Sequence, residues 1–197
     1  GMAAIAVIRV SGPEAIELVK SCFKGKNLAK EASHTVHLGY ILDENQDTID
    51  QVLVTLFKAP HSYTGEETVE IGCHGSTYIQ QAILNRLIDL GGRAAGRGEF
   101  TFRAFIHGRL DMTQAESVAD LIAAESKAET QVALSQLKGG ISKEIALLRS
   151  HLIHFASMLE LELDFGEEDV EFADRSQLKT LLTGAIEKIR VLLDTFK

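Results

Sequence analysis

GEFTFRAFIHGRLD, residues Gly98 to Asp111, divides the chain into two patterns. Upstream, short alternating apolar stretches sit between Gly-rich turns; downstream, helical spacing runs almost unbroken. The stretch carries Arg103 and Arg109, with Arg86, Arg93 and Arg97 shortly before it, although the chain as a whole has 20 Lys plus Arg against 28 Asp plus Glu. Guanidinium groups are planar donor forks matched to carboxylate or phosphate. The stretch therefore reads as a basic hinge between two architectures, suited to an anion.

Charge divides at the same place. Through Leu110 there are 11 basic and 12 acidic residues, a net −1; beyond it, 9 against 16 leave −7. A helical half that acidic is not a general binder of phosphate backbones. With 197 residues, 45% of them hydrophobic and 24% charged, the chain has the mixture of an ordinary globular protein with a real core. Cys22 and Cys73 are too few and too distant for a metal cage or a disulfide framework, which predicts a reduced, cytosolic protein. No apolar run approaches the roughly 18 residues of a membrane span. The chain opens at Gly1-Met2 directly into a strand-like run and stops uncapped at Phe196-Lys197, as a segment cut at both ends would.

Working back from the hinge, Thr77 to Leu90 places Ile79, Ile83, Leu87 and Leu90 on one helical face. It follows Glu67 to Ile71 (ETVEI), an alternating strand with Val69 and Ile71 inward and Thr68 and Glu70 outward, and a Gly72-Cys73-His74-Gly75 turn. Strand, glycine turn and helix start together suggest a pocket edge. His74 reads as a ligand, a base or, with no partner at metal-ligand spacing, a turn-stabilising imidazole. Thr35 to Leu42 and Ile49 to Phe57 form a hairpin around Asp43 to Asp47. Ala3 to Val10 (AAIAVIRV) is a first strand, with Arg9 on the face of Ile5 and Val7, where residue chemistry alone pairs it with a nearby acid. Gly12-Pro13 then ends that strand, Pro13 opens a helix bearing Ile16, Val19 and Phe23, and Gly25 closes it.

Beyond the hinge, Gln114 to Ser126 and Lys127 to Lys138 are rich in helix formers, and Gly139-Gly140 stops the second. Ile141, Ile145, Leu148, Leu152, Phe155 and Leu159 then make a narrow seam, repeated by Leu178, Leu182, Ala185, Ile189, Leu192 and Phe196. Between the seams, Glu160 to Glu171 holds seven acids in twelve residues, and Asp174 with Gln177 reads as a capping pair for the last helix. No histidine stands with a Ser or Cys in a nucleophile motif. The fold class is α+β: a mixed α/β domain, then part of a helical bundle.

Several stretches together resemble one family, the tRNA-modification GTPases called MnmE or TrmE. They are IAVIRVSGP at Ile5 to Pro13, SYTGEETVEI and HG within Ser62 to Gly75, GEFTFRAF at Gly98 to Phe105, GRLDMTQAESVADLI at Gly108 to Ile122, and DFGEEDVEF at Asp164 to Phe172. The resemblance covers nearly the whole chain. It implies an N-terminal tetrahydrofolate-binding and dimerisation domain over residues 1–108, similar to the folate-binding aminomethyltransferase fold, and the first part of a central helical domain over 109–197. A GTPase domain holding GTP, Mg2+ and K+ is expected to follow.

The family's activity would be modification of C5 of the wobble uridine of certain tRNAs in the cytoplasm, by a homodimer acting with the FAD-dependent partner MnmG, away from any membrane. In that scheme this chain carries no catalytic residue and no metal; it holds 5-formyltetrahydrofolate, the one-carbon donor. The family's folate contacts fall on Arg9, Glu70 and Arg109, the last usually Lys. Arg97 stands where Pro is common and His107 where Asn is common. The chemistry agrees with these roles: a carboxylate such as Glu70 accepts the adjacent N–H donors of a pterin, and Arg9 or Arg109 complements the anionic glutamate tail. Arg103 reads equally as a structural partner of Glu99, four residues away on the same helix. Two other classes stay open, a free-standing folate-dependent aminomethyl or formyl transferase and a non-catalytic dimerisation scaffold.

Overall fold

The computed structural model describes residues 3–164 and 175–194. The chain forms two compact units, Gly1–Ala119 and Asp120–Lys197.

The first unit is built on a five-stranded antiparallel sheet: β1 (Ile5–Ser11), β2 (Phe23–Lys24), β3 (Thr35–Leu42), β4 (Thr48–Phe57) and β5 (Thr68–His74), in the order β1-β5-β4-β3-β2. β3 and β4 form the expected hairpin. Its turn is held by Asp43, whose carboxylate accepts from the backbone N–H groups of Asn45 and Asp47. β1 joins at the edge by pairing with β5, a contact between residues about sixty positions apart.

Alternation decides which side chains meet the core. Ile8 of β1, Val52, Val54 and Leu56 of β4, and Val69, Ile71 and Cys73 of β5 are buried on one face. Helices α1 (Ala15–Cys22) and α2 (Thr77–Asp89) supply Ile16, Val19, Ile83 and Leu87 to the same core. Both cysteines are free and buried, and burial pushes their thiols up from the usual range. α3 (Glu99–Ile106) is the helix that the GEF motif opens, with Gly98 at its N-cap in the left-handed region at φ 71°.

Three local expectations need correction. Pro13 sits in the turn before α1, which starts at Ala15, and α1 ends by running straight into β2 rather than at Gly25. The Gly72–His74 segment is not a turn; β5 continues through it because Cys73 points inward and completes the buried row. The first strand begins at Ile5 and extends to Ser11.

The boundary of the second unit falls within α4 (Met112–Ala123). It continues with α5 (Lys127–Leu137), α6 (Gly140–Asp164) and α7 (Arg175–Asp194). Ser126 caps α5 by accepting from the Glu129 N–H, and Glu129 reaches back to the Glu125 N–H. Of the two seams, Phe155 and Ala185 are buried, while Ile145, Leu152, Leu182 and Ile189 are exposed. The acid run from Phe165 onward, the Asp174 cap and the chain end at Phe196 lie outside the described residues. No helix among the described residues is long and apolar enough to cross a membrane.

Candidate functional site

The sheet face opposite α1 and α2 carries the candidate site. Register sets Arg9 opposite Glu70 and Glu70 opposite Thr55, so β1, β5 and β4 present one row outward. Arg9 Nε and Nη2 donate to Glu70 Oε1 at 2.8 and 2.6 Å. Both bonds fall on that single oxygen, which leaves Oε2 to face a further donor. The Arg9 guanidinium carbon lies 5.2 Å from the Tyr63 ring centre and 5.5 Å from that of Phe100, within cation–π range of both. The pair is partly open to solvent, at 35% and 26% exposure. It forms a charged floor between two aromatic walls.

The loop between β4 and β5 supplies Tyr63, and α3 supplies Phe100. Thr64 and Thr68 are buried, and Ser11 Oγ lies 2.7 Å from Thr64 Oγ1 and donates to Glu66 Oε2 at 3.0 Å. Arg103 Nη1 donates to both Glu66 oxygens at 3.0 Å, while its Nε and Nη2 reach Glu99 Oε1 at 3.0 and 2.9 Å. Arg93 also bonds Glu99, which accepts from the Gly96 N–H as well. Hydrogen bonds from Arg93, then from the Gly96 backbone and Arg103, hold the Glu99 carboxyl well below the usual range, at about 2. The Tyr63 and Thr101 hydroxyls meet at 2.9 Å. Arg103 is thus a structural bridge between the loop, which carries Tyr63, and α3, which carries Phe100.

A groove of about 400 Å³ adjoins this pair, lined by His34, Phe57, His61, Ser62, Tyr63 and Arg109. Tyr63 belongs to both features. Arg109 is exposed and, unlike Arg9, Arg93 and Arg103, makes no ion pair among the described residues. Its stem is positioned by Gly65, which sits at φ 81°. A Cβ there would stand 3.2 Å from His107 Cβ and 3.3 Å from Arg109 Cγ, and a left-handed backbone disfavours any side chain. His107 Nδ1 donates to the Thr64 carbonyl at 2.8 Å, a bond the amide of an Asn can also make.

The three residues singled out from sequence therefore separate into a pair and a neighbour. Arg9 and Glu70 contact each other, as residue chemistry suggested for an arginine on an edge strand; Arg109 lies across the groove. Tyr63, Phe100, His34, Phe57 and His61 were not singled out, since only the register of β5 and the loop path bring them here. The one available signal was the aromatic residue inside each of two quoted motifs, Tyr63 in SYTGE and Phe100 in GEF. The pocket edge expected at the start of α2 is not where the groove lies. His74 instead clasps buried Asp50, whose carboxylate accepts from the His74 backbone N–H at 2.9 Å and lies 2.8 Å from its Nδ1. Chemically, the site offers a half-used carboxylate, flat apolar walls and an uncompensated cation. That combination fits a planar heterocycle with N–H donors and an anionic tail.

Comparison with known proteins gives a consistent result. The family model described as the GTP-binding protein TrmE N-terminus matches residues 1–109, and that of the MnmE helical domain matches 112–197. The tRNA modification GTPase MnmE of Flavobacterium johnsoniae is 55% identical over 199 residues, covering all of this chain and 42% of that protein. The protein of the same name from Christiangramia forsetii is 54% identical with the same coverage. That of Bacteroides thetaiotaomicron is 52% identical over 98% of this chain and 42% of its own length. The chain spans well under half the length of these relatives.

Proposed function

The chain belongs to the TrmE family, and from that premise we propose that it is the folate-binding, dimerising part of a tRNA-modifying GTPase. The relatives carry the name tRNA modification GTPase. The 197 residues contain no G-x-x-x-x-G-K-[ST] phosphate loop, so in this reading GTP, Mg2+ and K+ are bound by residues outside the chain. The functional boundary is proposed at residues 108 and 109, near the change between the two matched family regions.

The observation that carries the folate reading is the Arg9–Glu70 pair. Glu70 keeps Oε2 for the amino-pyrimidinone edge of a pterin, Arg9 fixes the orientation of the carboxylate, and Tyr63 and Phe100 frame the ring. Arg109, with the longer reach of a guanidinium in place of the usual Lys, takes the tail carboxylate. 5-Formyltetrahydrofolate is the ligand proposed, as the one-carbon donor for uridine-34 C5 modification carried out in the cytoplasm with MnmG on tRNA. None of these three residues forms or breaks a bond; they bind and orient.

A second copy of the chain is proposed to cover the outward sheet face. Val7, Leu53 and Leu38 align across the sheet in one register row with Gly72 and are 64%, 51% and 62% exposed. Such a contiguous apolar patch is uncommon on a monomer.

Calorimetric titration of Glu70→Ala with 5-formyltetrahydrofolate tests the reading: binding is lost while circular dichroism and the oligomeric state are retained. Unchanged affinity removes Glu70 from the site.

A further inference from the structure

The groove beside the Arg9–Glu70 pair has more donors than one tail carboxylate needs. No acidic side chain lines it, while Arg109, His34 and His61 do; Ser62, also in the lining, is buried and donates its hydroxyl proton to the Glu66 carbonyl. Glu70 already satisfies Arg9, so the uncompensated positive charge of this region belongs to Arg109. His34 is a further oddity. It sits at φ 62°, a conformation that costs a non-glycine residue about 1 kcal/mol, and its ring packs edge-on against Phe57 at 5.4 Å. The Lys58 N–H donates to Ser33 Oγ, and that hydroxyl lies 2.9 Å from His34 Nδ1. With Ser33 donating its proton to Nδ1, a neutral His34 ring carries its own proton on Nε2, as a donor free for a ligand. The His61 side chain has no hydrogen-bond partner among the described residues.

We propose that this groove takes the γ-linked polyglutamate tail of a folate and makes the site selective for tail length. The inference rests on the folate reading above. Arg109 receives the first glutamate carboxylate beside the Tyr63 wall shared with the Arg9–Glu70 pair, and His34 and His61 receive carboxylates of the following residues. The groove's open side lets a longer chain continue into solvent, and its volume of about 400 Å³ suits a short segment rather than a macromolecule. Phe57 and Tyr63 give the groove apolar sides, and the bond from the Arg109 guanidinium to a carboxylate is charge-assisted.

The test is calorimetry on the full chain with the mono- and triglutamate forms of 5-formyltetrahydrofolate. The triglutamate is expected to bind about tenfold tighter, with the advantage shrinking as salt is raised. In the double variant His34→Asn, His61→Gln the advantage is expected to fall below about twofold. Asn tolerates the left-handed backbone of position 34, and circular dichroism verifies folding. Equal wild-type affinities with monoglutamate binding intact overturn the tail subsite and leave the folate reading standing. So does an advantage that survives in the folded double variant. Failure of wild type to bind either form overturns both.

Discussion

The two faces of the β-sheet are made by the same five strands with the same alternation, yet they have opposite fates. One face is closed by α1 and α2 and leaves Val54, Leu56, Val69 and Ile71 with no exposure. The other carries Val7, Leu38 and Leu53 in the open, and beside them the Arg9–Glu70 row and its groove. Burial of aliphatic side chains explains the first face completely. Nothing in the packing of the described residues covers the second. A strand pattern that puts large apolar residues on both faces therefore separates stability, which resides on the covered side, from the uncovered side where recognition is proposed.

The largest expected effect breaks this contrast directly. Ile71→Ala, on the covered face, lowers stability by about 2–5 kcal/mol in urea unfolding, whereas Leu53→Ala on the open face costs the isolated chain less than about 1 kcal/mol. Similar losses at both positions would mean that the faces do not differ. Next in size, Leu53→Lys places a charge in the proposed contact between copies and is expected to weaken self-association at least tenfold in sedimentation velocity, with the melting temperature of the monomer little changed. A dimer indifferent to this substitution does not use this face.

The smallest effect concerns the acid that anchors α3. The folded pKa of Glu99 lies below its ordinary 4.5, at about 2. A depressed carboxyl stabilises the fold above its unfolded pKa, and that contribution is lost as pH falls through the folded value. Melting temperature measured from pH 5 to pH 2 is accordingly expected to fall more steeply for wild type than for Glu99→Gln. Parallel curves would detach Glu99 from the loop-to-helix bridge.

How much of this was legible varied with the range of the interaction. The β3–β4 hairpin, the inward Val69 and Ile71, the α2 face and the Arg103–Glu99 pair all follow from spacing within about a dozen residues, where chain geometry leaves few alternatives. The limits of α1 were misplaced because Pro13 belongs to the preceding turn and β2 follows without a break. The extent of β5 was missed because Gly72 reads as a breaker, while its place in a central strand depends on partners on both sides. The bridge from Arg103 to Glu66 could not be read, since thirty-seven positions separate the two.

The same division holds for the site. By itself the sequence determined the residue types: a carboxylate and an arginine on outward strand positions, a basic stretch at the change of architecture, and motifs that mark the family. Only the tertiary structure decided that β1 lies antiparallel to β5, so that Arg9 binds Glu70 rather than another acid, and that Arg109 makes no ion pair among the described residues. It also decided that Tyr63, Phe100 and the two groove histidines stand around them. The reason is physical. Alternation is a property of one strand, but partner identity is a property of register, and register is set by the packing of the covered face against α1 and α2.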